Sequence, residues 1–421
     1  MFALADCNNF FVSCERVFRP DLRDKPVIVL SNNDGCAVAR SNEAKALGIR
    51  MGDPYFKIRH IVEKNDVSVF SGNMALYGDM SQRVRWVLEG FAPSIEIYSI
   101  DEAFMDLRGL TILDFDKYAK SISAECWRLT SIPVSVGIGP TKTLAKIASK
   151  LCKQYPKLKG GCYMHRPQDI EKVLRKFPIE DVWGIGRRSS AKLHSIGVKT
   201  AWDYTQLPED MVRNMFSLTG LRTWRELRGN ACIDFEAGFE VKQSICVSRS
   251  FSKEIEDAEV LAEQIANFAS SMAEKLRQQR SVVTEMSVFA YTNRFKENEP
   301  QTHGNALVHF DPPTNEQRTI VSKAVAATHE VYKSGYGYKK AGVVATHICQ
   351  ESDVVASLFE DADAMAREHR ITSALDMING IYGRGTIKLA AQGSGHIRSS
   401  SEKQSPHYTT RWDEIPKVTV R

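Results

Sequence analysis

Residues 94–107, SIEIYSIDEAFMDL, carry the pattern that decides the fold class of this 421-residue chain. Apolar and polar side chains alternate on both sides of a polar interruption at residues 99–102, which predicts two strands joined by a tight tip. Towards the amino terminus, FALAD at 2–6 predicts a buried strand that ends in an aspartate. Towards the carboxyl terminus, IPVSVGIG at 132–139 predicts a strand, then a Gly-Pro break and an amphipathic helix. Strands and helices mix without a strict βαβ repeat, so the sequence predicts an α+β fold.

The rest of the chain divides into three stretches of different pattern. Residues 171–235 are mainly helical in pattern and are punctuated by glycines. Residues 240–350 have the element order β-α-β-β-α-β, which predicts one compact domain. After residue 351 the pattern weakens, and GHIRSSSEKQSP at 395–406 has the polar, serine-rich composition of a mobile segment.

Composition excludes several classes of protein. The chain is 43% hydrophobic and has a formal net charge of +5, which suits a folded protein and is too small to attract a polyanion through global charge alone. It contains no apolar run of the ~18 residues that a membrane-spanning helix needs. The nine cysteines are scattered without a CxxC pair, which argues against a zinc ribbon and predicts reduced thiols in a cytoplasmic protein.

Three carboxylates form a candidate catalytic constellation. Asp6 ends a buried strand, where an unpaired carboxylate is costly, and Asp101 and Glu102 occupy the polar tip of the predicted hairpin. Adjacent strand residues face opposite sides, so both can reach one site only if the tip is a tight turn. Carboxylates of this kind bind Mg²⁺ together with substrate phosphates, and two ions ~4 Å apart can activate a 3′-hydroxyl and stabilise leaving pyrophosphate. The alternative is that Asp6 caps a turn and that the other two are solvated.

The aromatic pair Phe10-Phe11 follows Asp6 closely. A ring that packs under the sugar of a bound nucleotide would exclude a 2′-hydroxyl by steric clash. The alternative is that both phenylalanines belong to the hydrophobic core.

A lysine-rich helix is predicted after the strand at 132–139. The segment TKTLAKIASKLCKQYPKLKG, residues 141–160, contains six lysines and no acidic residue. Four of them recur at helical spacing and form one face, where like charges repel each other and a polyanion would neutralise them. A solvated face is the alternative. The four lysines are Lys142, Lys146, Lys150 and Lys153.

The segment PIEDVWGIGRRSSAKLHSIGVKT, residues 178–200, predicts a helix-hairpin-helix. Gly184 and Gly186 would let the backbone approach a phosphate, which the N–H groups of the following helix can bind. Arg187 and Arg188 add positive charge next to these glycines. Such a hairpin grips the backbone of duplex DNA without recognising its sequence.

Together these motifs resemble the Y-family translesion DNA polymerases and, within that family, the UmuC-type catalytic subunits of bacterial DNA polymerase V. The resemblance extends over nearly the whole chain. It rests on DCNNFFVSCERVFRPDLRDKPVIVLSNNDGCAVARSNEAKALGIRMGDP at 6–54, YSIDEAFMDL at 98–107, VGIGPTKTLAKIASK at 136–150, VWGIGRR at 182–188 and YTTRWDE at 408–414.

The resemblance implies a right-hand architecture and error-prone, template-directed DNA synthesis past lesions in the SOS response. The implied parts are a palm, small fingers, a helical thumb that carries the hairpin, a little finger, and a tail for partner contacts. Their expected bounds are 1–20 and 78–170 for the palm, 21–77 for the fingers, 171–235 for the thumb, 240–350 for the little finger and 351–421 for the tail.

The resemblance also implies roles for individual residues at the catalytic centre. Asp6, Asp101 and Glu102 match the family's metal ligands for two Mg²⁺ ions, and the carbonyl of Cys7 matches a backbone ligand. Phe11, the second ring of the pair, matches the steric gate that selects deoxyribose.

Contacts to the deoxynucleoside triphosphate are implied at three further positions. Lys153 matches a triphosphate-contacting lysine. Asn42 and Lys45 stand where many relatives carry Tyr and Arg on the phosphates. Lys45 supplies a point charge but lacks the bidentate fork of arginine.

Implied partners are primer-template DNA, a dimer of cleaved UmuD-type subunits, RecA and a sliding clamp. DNA contacts fall on Lys142 and Lys146 of the lysine-rich helix and on Gly184, Gly186, Arg187 and Arg188 of the hairpin. The clamp contact falls on two residues in the tail, Leu358 and Phe359, although Val355 stands where clamp-binding peptides usually have Gln.

Two other functions use parts of the same pattern. A nucleotidyl cyclase can share a palm-like fold and two-metal carboxylates, but it needs no duplex grip. A non-catalytic DNA-binding protein would use only the hairpin, and it would leave the three carboxylates without a role.

Overall fold

The chain folds into two units, and the computed structural model describes residues 1–236, 238, 241–354, 362–383, 385–394 and 401–417. Unit 1 comprises Met1–Gly238 together with Ser401–Arg421, and unit 2 comprises Phe239–Ser400. None of the helices within the described ranges is long and apolar enough to cross a membrane. All nine cysteines are free thiols.

The helices and strands of unit 1 follow the pattern that the sequence predicts. In chain order they are β1 (Phe2–Cys7), α1 (Phe10–Phe18), β2 (Val27–Leu30), β3 (Ala37–Arg40), α2 (Asn42–Ala46), α3 (Tyr55–Lys64), β4 (Ser68–Ser71), α4 (Met74–Glu89), β5 (Ser94–Ile97), β6 (Glu102–Asp106), α5 (Phe115–Thr130), β7 (Val134–Gly139), α6 (Lys142–Gln154), β8 (Gly161–Tyr163), α7 (Pro167–Leu174), α8 (Arg187–Ser195), α9 (Ala201–Thr205) and α10 (Glu209–Leu227).

A five-stranded sheet with the order β5-β6-β1-β7-β8 forms the centre of unit 1. Strand β1 lies in the middle and pairs antiparallel with both β6 and β7. Its first four residues are all buried, because this strand is apolar on both faces and both faces are covered. Asp6 is therefore held near the end of a buried central strand, next to its last residue, Cys7.

Helix α6 packs unusually close to strand β7, because glycine removes the side chain that would separate them. A Cβ atom at Gly137 would lie only 2.0 Å from the backbone nitrogen of Ser149 and 2.2 Å from the carbonyl oxygen of Ala145. Ser149 also donates a hydrogen bond of 3.0 Å from Oγ to the carbonyl of Ser135. This close approach fixes the lysine-bearing helix against the sheet.

A smaller sheet and a helical part complete the first 236 residues. Strands β3, β2 and β4 form a three-stranded sheet, in which β2 pairs antiparallel with β3 and parallel with β4. Helices α7 to α10 share a separate hydrophobic core, to which Leu144 and Ile147 of α6 also contribute. The helical part is thereby joined to the central sheet through α6.

Unit 2 has the predicted β-α-β-β-α-β order, followed by one more helix. Its elements are β9 (Ile245–Ile255), α11 (Ala258–Gln278), β10 (Ser281–Thr292), β11 (His303–Thr314), α12 (Gln317–Val331), β12 (Tyr338–Gln350) and α13 (Ala362–Tyr382). The strands form one antiparallel sheet with the order β11-β10-β12-β9. Buried and partly exposed residues alternate along β10 from Met286 to Thr292, so one face of the sheet joins the core with α11 and α12.

The segment 401–417, which we call the return segment, lies against unit 1 rather than unit 2. The prediction of a mobile stretch at 395–406 is wrong for residues 401–406, because polar groups there are fixed by hydrogen bonds. The side chain of Asn73 donates to both the carbonyl and Oγ of Ser405 at 3.0 Å. The ring of Tyr408 stacks on Phe18 with centroids 4.6 Å apart.

We expect Gly137→Ala to destabilise the protein by about 3 kcal/mol, since the new methyl group would meet backbone atoms that cannot move independently. Gly78→Ala is the matched control: Gly78 is exposed within α4, and a Cβ atom there meets no atom within 4 Å. That change should stabilise the helix by about 0.5–1 kcal/mol. Denaturant unfolding of both variants measures the difference, and equal stabilities would contradict the close packing of α6 on β7.

Candidate active site

Strand register brings the three predicted carboxylates to one end of the central sheet. Asp6 on β1 is paired directly with Glu102 on β6. The backbone nitrogen of Cys7 donates a hydrogen bond of 2.9 Å to the carbonyl of Asp101. Paired residues of antiparallel strands project from the same face, so Asp6 and Glu102 are direct neighbours.

A turn built on Ser99 lets Asp101 and Glu102 share this region. The Ser99 hydroxyl donates to Oδ1 of Asp101 at 2.6 Å and accepts from the backbone nitrogens of Asp101 and Glu102 at 3.3 and 3.0 Å. The backbone nitrogens of Tyr98 and Ser99 both donate to the carbonyl of Glu102. The strand therefore resumes only at Glu102, and the strict alternation of side chains does not apply across the tip.

Lysine ammonium groups neutralise two of the three carboxylates. Lys153 Nζ lies 2.6 Å from Oδ1 of Asp6. Lys146 Nζ lies 2.7 and 2.8 Å from the two oxygens of Glu102. Both lysines project from α6, and each places a cation against one predicted metal ligand.

The environment of Asp6 opposes its ionisation. Burial is the largest effect and raises the pKa of this carboxyl from 3.8 to about 6, although the ammonium of Lys153 acts in the opposite direction. The negative charges of Glu102 and Asp101 raise the pKa further. The three carboxylates thus act on one another electrostatically, which is the condition that a bound cation relieves.

The oxygens of Asp6, Asp101 and Glu102 suit Mg²⁺ chemically, but in this structure each of these carboxylates contacts another side chain. Within the described ranges, no three His, Cys, Asp or Glu side chains are grouped closely enough to hold a metal ion as they stand. Asp6 and Glu102 contact the two lysines, and Asp101 contacts Ser99. The donors are carboxylate oxygens, which Mg²⁺ prefers, and two of these carboxylates are paired with ammonium groups.

The lysine face of α6 is neutralised by the chain's own carboxylates. Each of its four lysines makes an ion pair with an acidic side chain from another part of unit 1. The pairs are Lys142–Glu96, Lys146–Glu102, Lys150–Asp181 and Lys153–Asp6.

For Lys142 this arrangement corrects the prediction of a DNA contact. Its side chain is only 1% exposed, and the ammonium also donates to the carbonyl of Asp234. It further lies over the rings of Phe104 and Phe235. Two of its three N–H donors are already used, and an ammonium this deeply buried is not accessible to a DNA phosphate.

The structure separates the two phenylalanines that the sequence left equivalent. Phe10 is 4% exposed and belongs to the core, whereas Phe11 is half-buried. The ring of Phe11 stacks on Tyr77, with centroids 4.4 Å apart and an angle of 14° between the planes. Only Phe11 is therefore accessible enough to contact a nucleotide.

Further basic groups converge near Lys153. The positive charges of Arg40 and Lys153 help burial to lower the pKa of Lys45. Lys45 Nζ donates to Oδ1 of Asn9 at 2.6 Å and lies 3.4 Å from Oδ1 of Asn42. Arg40 was not predicted as a site residue, and its buried Nε has no hydrogen-bond partner in the part of the chain that the structure describes.

Two aromatic residues that the sequence analysis did not select connect the hairpin to the carboxylates. Trp183 Nε1 donates a hydrogen bond of 3.0 Å to the hydroxyl of Tyr98. The ammonium of Lys146, while bound to Glu102, lies 4.6 Å from the ring centroid of Tyr98 and 5.7 Å from that of Trp183. Trp183 lies within the hairpin motif VWGIGRR, directly before Gly184. That position is the feature of the sequence from which a role for Trp183 could have been predicted.

The hairpin differs in part from its prediction. Helix α8 begins at Arg187 directly after Gly186, and both Arg187 and Arg188 are exposed. The segment before Gly184 is only one 3₁₀ turn, Ile179–Asp181, because Pro178 and Val182 on either side have extended backbone. Gly184 has φ +88°, and a Cβ atom there would lie 2.6 Å from Oγ1 of Thr223.

The remaining predicted site residues are the clamp-binding pair. Leu358 and Phe359, together with Val355, lie outside the described residues.

We expect Asp6→Asn to raise the free energy of unfolding by about 2–3 kcal/mol at pH 8 in buffer containing EDTA. The pKa of Asp6 is about 6 in the folded protein and 3.8 in the unfolded chain. At a pH between these two values, the folded protein therefore keeps a proton that the unfolded chain has lost. The stability of the wild type therefore falls as pH rises through this interval, and asparagine does not titrate. Denaturant unfolding at pH 8 and pH 4 should show a difference only at pH 8, and a more stable wild type at pH 8 would contradict this account.

Profiles of one protein family match most of the chain. The impB/mucB/samB family matches residues 5–150, its helix-hairpin-helix motif matches 167–198, and its C-terminal domain matches 242–358. A domain of unknown function (DUF4113) matches residues 369–418.

Full-length relatives agree with these matches. The chain is 40% identical to the protein UmuC of Salmonella typhimurium over 99% of its own length and 100% of the relative. It is 41% identical to the protein ImpB of Salmonella typhimurium, with 99% of each chain covered. It is 27% identical to DNA polymerase IV of Desulfatibacillum aliphaticivorans, over 92% of this chain and 95% of the relative.

Solved structures share the fold. A Y-family DNA polymerase chimera of Dbh and Dpo4 superposes with a TM-score of 0.66 at 19% identity, over 85% of this chain and 100% of the other. An insertion ternary complex of Dbh DNA polymerase gives 0.54 at 20% identity, over 83% and 100%. These likenesses confirm the predicted right-hand fold with palm, small fingers, helical thumb and little finger. The chain therefore belongs to the impB/mucB/samB family and is a UmuC-type translesion DNA polymerase of the Y family.

Proposed function

We propose that Asp6, Asp101 and Glu102 form the catalytic centre with which this chain, as the catalytic subunit of a polymerase V-like complex, extends primers past template lesions. The observation that carries this assignment is the pairing of Asp6 with Glu102 across β1 and β6, with Asp101 brought alongside by the Ser99 turn. Burying three carboxylates together has no structural advantage, since burial itself raises the pKa of Asp6.

These carboxylates, with the carbonyl of Cys7, would hold two Mg²⁺ ions. When bound, the ions supply Lewis-acid activation of the primer 3′-hydroxyl and neutralise charge on the leaving pyrophosphate. The chain's own contribution is to keep the carboxylates ionised and oriented. Lys153 and Lys146 do this before a cation binds, because each ammonium pairs with one carboxylate.

The triphosphate is bound by the basic residues that converge beside Asp6. Lys153 changes partner from Asp6 to a phosphate oxygen, and Arg40 at the end of β3 and Lys45 in α2 add positive charge. The mutual repulsion that contributes to the lowered pKa of Lys45 would be relieved by an anion between these groups. Asn42 lies within hydrogen-bond distance of Lys45 and orients its ammonium.

Phe11 selects the sugar of the incoming nucleotide. Its ring is half-buried at the start of α1, four residues after Cys7, and Tyr77 supports it from behind. A ring fixed in this way leaves room for deoxyribose and collides with a 2′-hydroxyl.

Primer-template DNA is gripped by the hairpin without base recognition. Arg187 and Arg188 are exposed in the first turn of α8, where unpaired backbone N–H groups also attract phosphate. Gly186 leaves this surface free of a side chain, while Gly184 supplies the positive φ of the turn before it.

Membership of the UmuC-type group supports the proposed partners and part boundaries. We assign the palm to 1–20 and 78–170, the fingers to 21–77, the thumb to 171–235 and the little finger to 240–350. The fingers are short on these bounds and offer little surface for checking the shape of a base pair. The site is therefore open enough to accept damaged templates. A dimer of cleaved UmuD-type subunits, RecA and a sliding clamp, the last through Leu358 and Phe359, are the proposed partners.

We expect the wild-type chain to extend a primer across an abasic template site when UmuD′-type protein and RecA are supplied, and Asp101→Asn to reduce extension at least 100-fold, because a metal-binding charge is lost. Denaturing gel electrophoresis of labelled primers measures the products. A reaction with nucleotide alone is the control against cyclase activity. Full extension by Asp101→Asn would remove this residue from the catalytic centre.

We expect Phe11→Ala to increase incorporation of ribonucleotides relative to deoxyribonucleotides by about 100-fold or more, since nothing else then occupies the volume below the sugar. Phe10→Leu is the matched control, because Phe10 is a core residue with similar sequence context. Single-nucleotide insertion kinetics with paired substrates give the ratio, and an unchanged ratio would end the gate assignment.

A further inference from the structure

We propose that the return segment, which belongs to the domain of unknown function, positions the sugar-selecting ring of Phe11 through Ser405, Glu15 and Tyr77. This inference rests on the proposed role of Phe11. It assigns a specificity-determining role to the end of the chain, 390 residues away in sequence from Glu15.

The backbone of the return segment extends the edge of the small sheet. The amide of Ser71, the last residue of β4, donates to the carbonyl of Lys403 at 3.0 Å. The amide of Lys403 donates in turn to Oγ of Ser71 at 3.0 Å. The side chain of Gln404 donates to the carbonyl of Gly72 at 3.2 Å. The segment is therefore fixed in register at this edge.

The next residues dock on the buried cap of helix α4. Asn73 caps this helix, since its Oδ1 accepts from the backbone nitrogen of Leu76 at 3.2 Å. Its Nδ2 donates to Ser405 and to the carbonyl of Pro406. Asn73 is completely buried. The same asparagine thus fixes both the start of α4 and the position of Ser405.

Ser405 contacts a buried carboxylate on α1. Glu15 is completely buried, and its Oε1 accepts hydrogen bonds from the hydroxyls of Tyr77 at 2.6 Å and Ser405 at 3.0 Å. Its Oε2 has no hydrogen-bond partner within the described ranges. Because two hydroxyls are the donors that satisfy this carboxylate, the loss of one changes how the other is held.

Tyr77 transmits this arrangement to Phe11. The Tyr77 ring is completely buried and stacks on Phe11, so the hydroxyl at one end and the Phe11 ring on one face determine its orientation. The contacts form an unbroken path from the Ser405 hydroxyl to Glu15, then Tyr77, then Phe11.

A second contact of the return segment lies on the same face of α1. Phe11, Glu15 and Phe18 are spaced at i, i+4 and i+7, which places them along one side of the helix. Tyr408 stacks on Phe18 with an angle of 15° between the planes. The return segment therefore contacts the face of α1 that bears Phe11 at two points.

The test compares insertion of ribonucleotides and deoxyribonucleotides by Ser405→Ala and Tyr77→Phe in the full chain with its partners. Each change removes one hydroxyl and leaves residue 11 a phenylalanine. We expect ribonucleotide discrimination to fall about 3- to 10-fold in both variants, mainly through a lower KM for ribonucleotides, with kcat for deoxyribonucleotides unchanged. The double variant should show no more than the larger single effect, because both hydroxyls act through Glu15.

Two further variants exclude a merely structural role. Ser405→Thr keeps the donor hydroxyl and should show wild-type discrimination. Ser401→Ala should have no effect, because Ser401 accepts the hydrogen bond from the backbone nitrogen of Gln404 through its backbone carbonyl, which alanine keeps. Thermal unfolding identifies any variant that fails to fold. If Ser405→Ala fails to fold, the discrimination of Tyr77→Phe is compared with that of the wild type instead.

Unchanged discrimination in both Ser405→Ala and Tyr77→Phe, beside a clear loss in Phe11→Ala, would overturn the positioning role and leave the gate intact. Equal relaxation in Ser405→Thr would also overturn it, since the hydroxyl would then be irrelevant. If Phe11→Ala itself leaves discrimination unchanged, the proposed gate fails, and that outcome is distinct from the other two.

Discussion

The pairing of β1 between β6 and β7 is the constraint on which the rest of unit 1 depends. It places Asp6 at the buried end of the central strand and directly opposite Glu102. Burial raises the pKa of Asp6 to about 6, because a negative charge is less stable in this buried position than in water. An unfavourable ionisation of this kind is characteristic of functional sites rather than of stabilising contacts. The surrounding residues reduce the free-energy penalty.

Helix α6 provides most of that compensation. Its lysines reach acidic groups from the sheet and from the hairpin segment, so a run of like charges becomes a set of ion pairs. The helix can do this because Gly137 lets its backbone approach β7 to distances that a side chain would forbid. Lys146 extends the network further, since Tyr98 and Trp183 surround its ammonium and join the hairpin to Glu102.

The domain of unknown function, residues 369–418, is divided between the two units. In unit 2, Asp376 of α13 makes a bidentate ion pair with Arg277 at 2.6 and 2.7 Å, and Thr372 donates to Glu316 at 2.6 Å. In unit 1, the return segment bonds to β4, α4 and α1. These partners come from much earlier in the sequence, so this region completes two existing cores instead of forming one of its own.

The sequence by itself determined the order of the elements and the choice of candidate site residues. Alternation at 94–107, the apolar run before Asp6 and the β-α-β-β-α-β order depend on local periodicity, which a single chain displays directly. The family motifs selected Asp6, Asp101, Glu102 and Phe11, and the turn at Ser99 followed from the polar tip. Only the tertiary structure decided which partner each charge meets. Lys142 is buried against Glu96, Phe10 and Phe11 have different environments, and Ser405 reaches Glu15, because such contacts join residues that no local pattern connects.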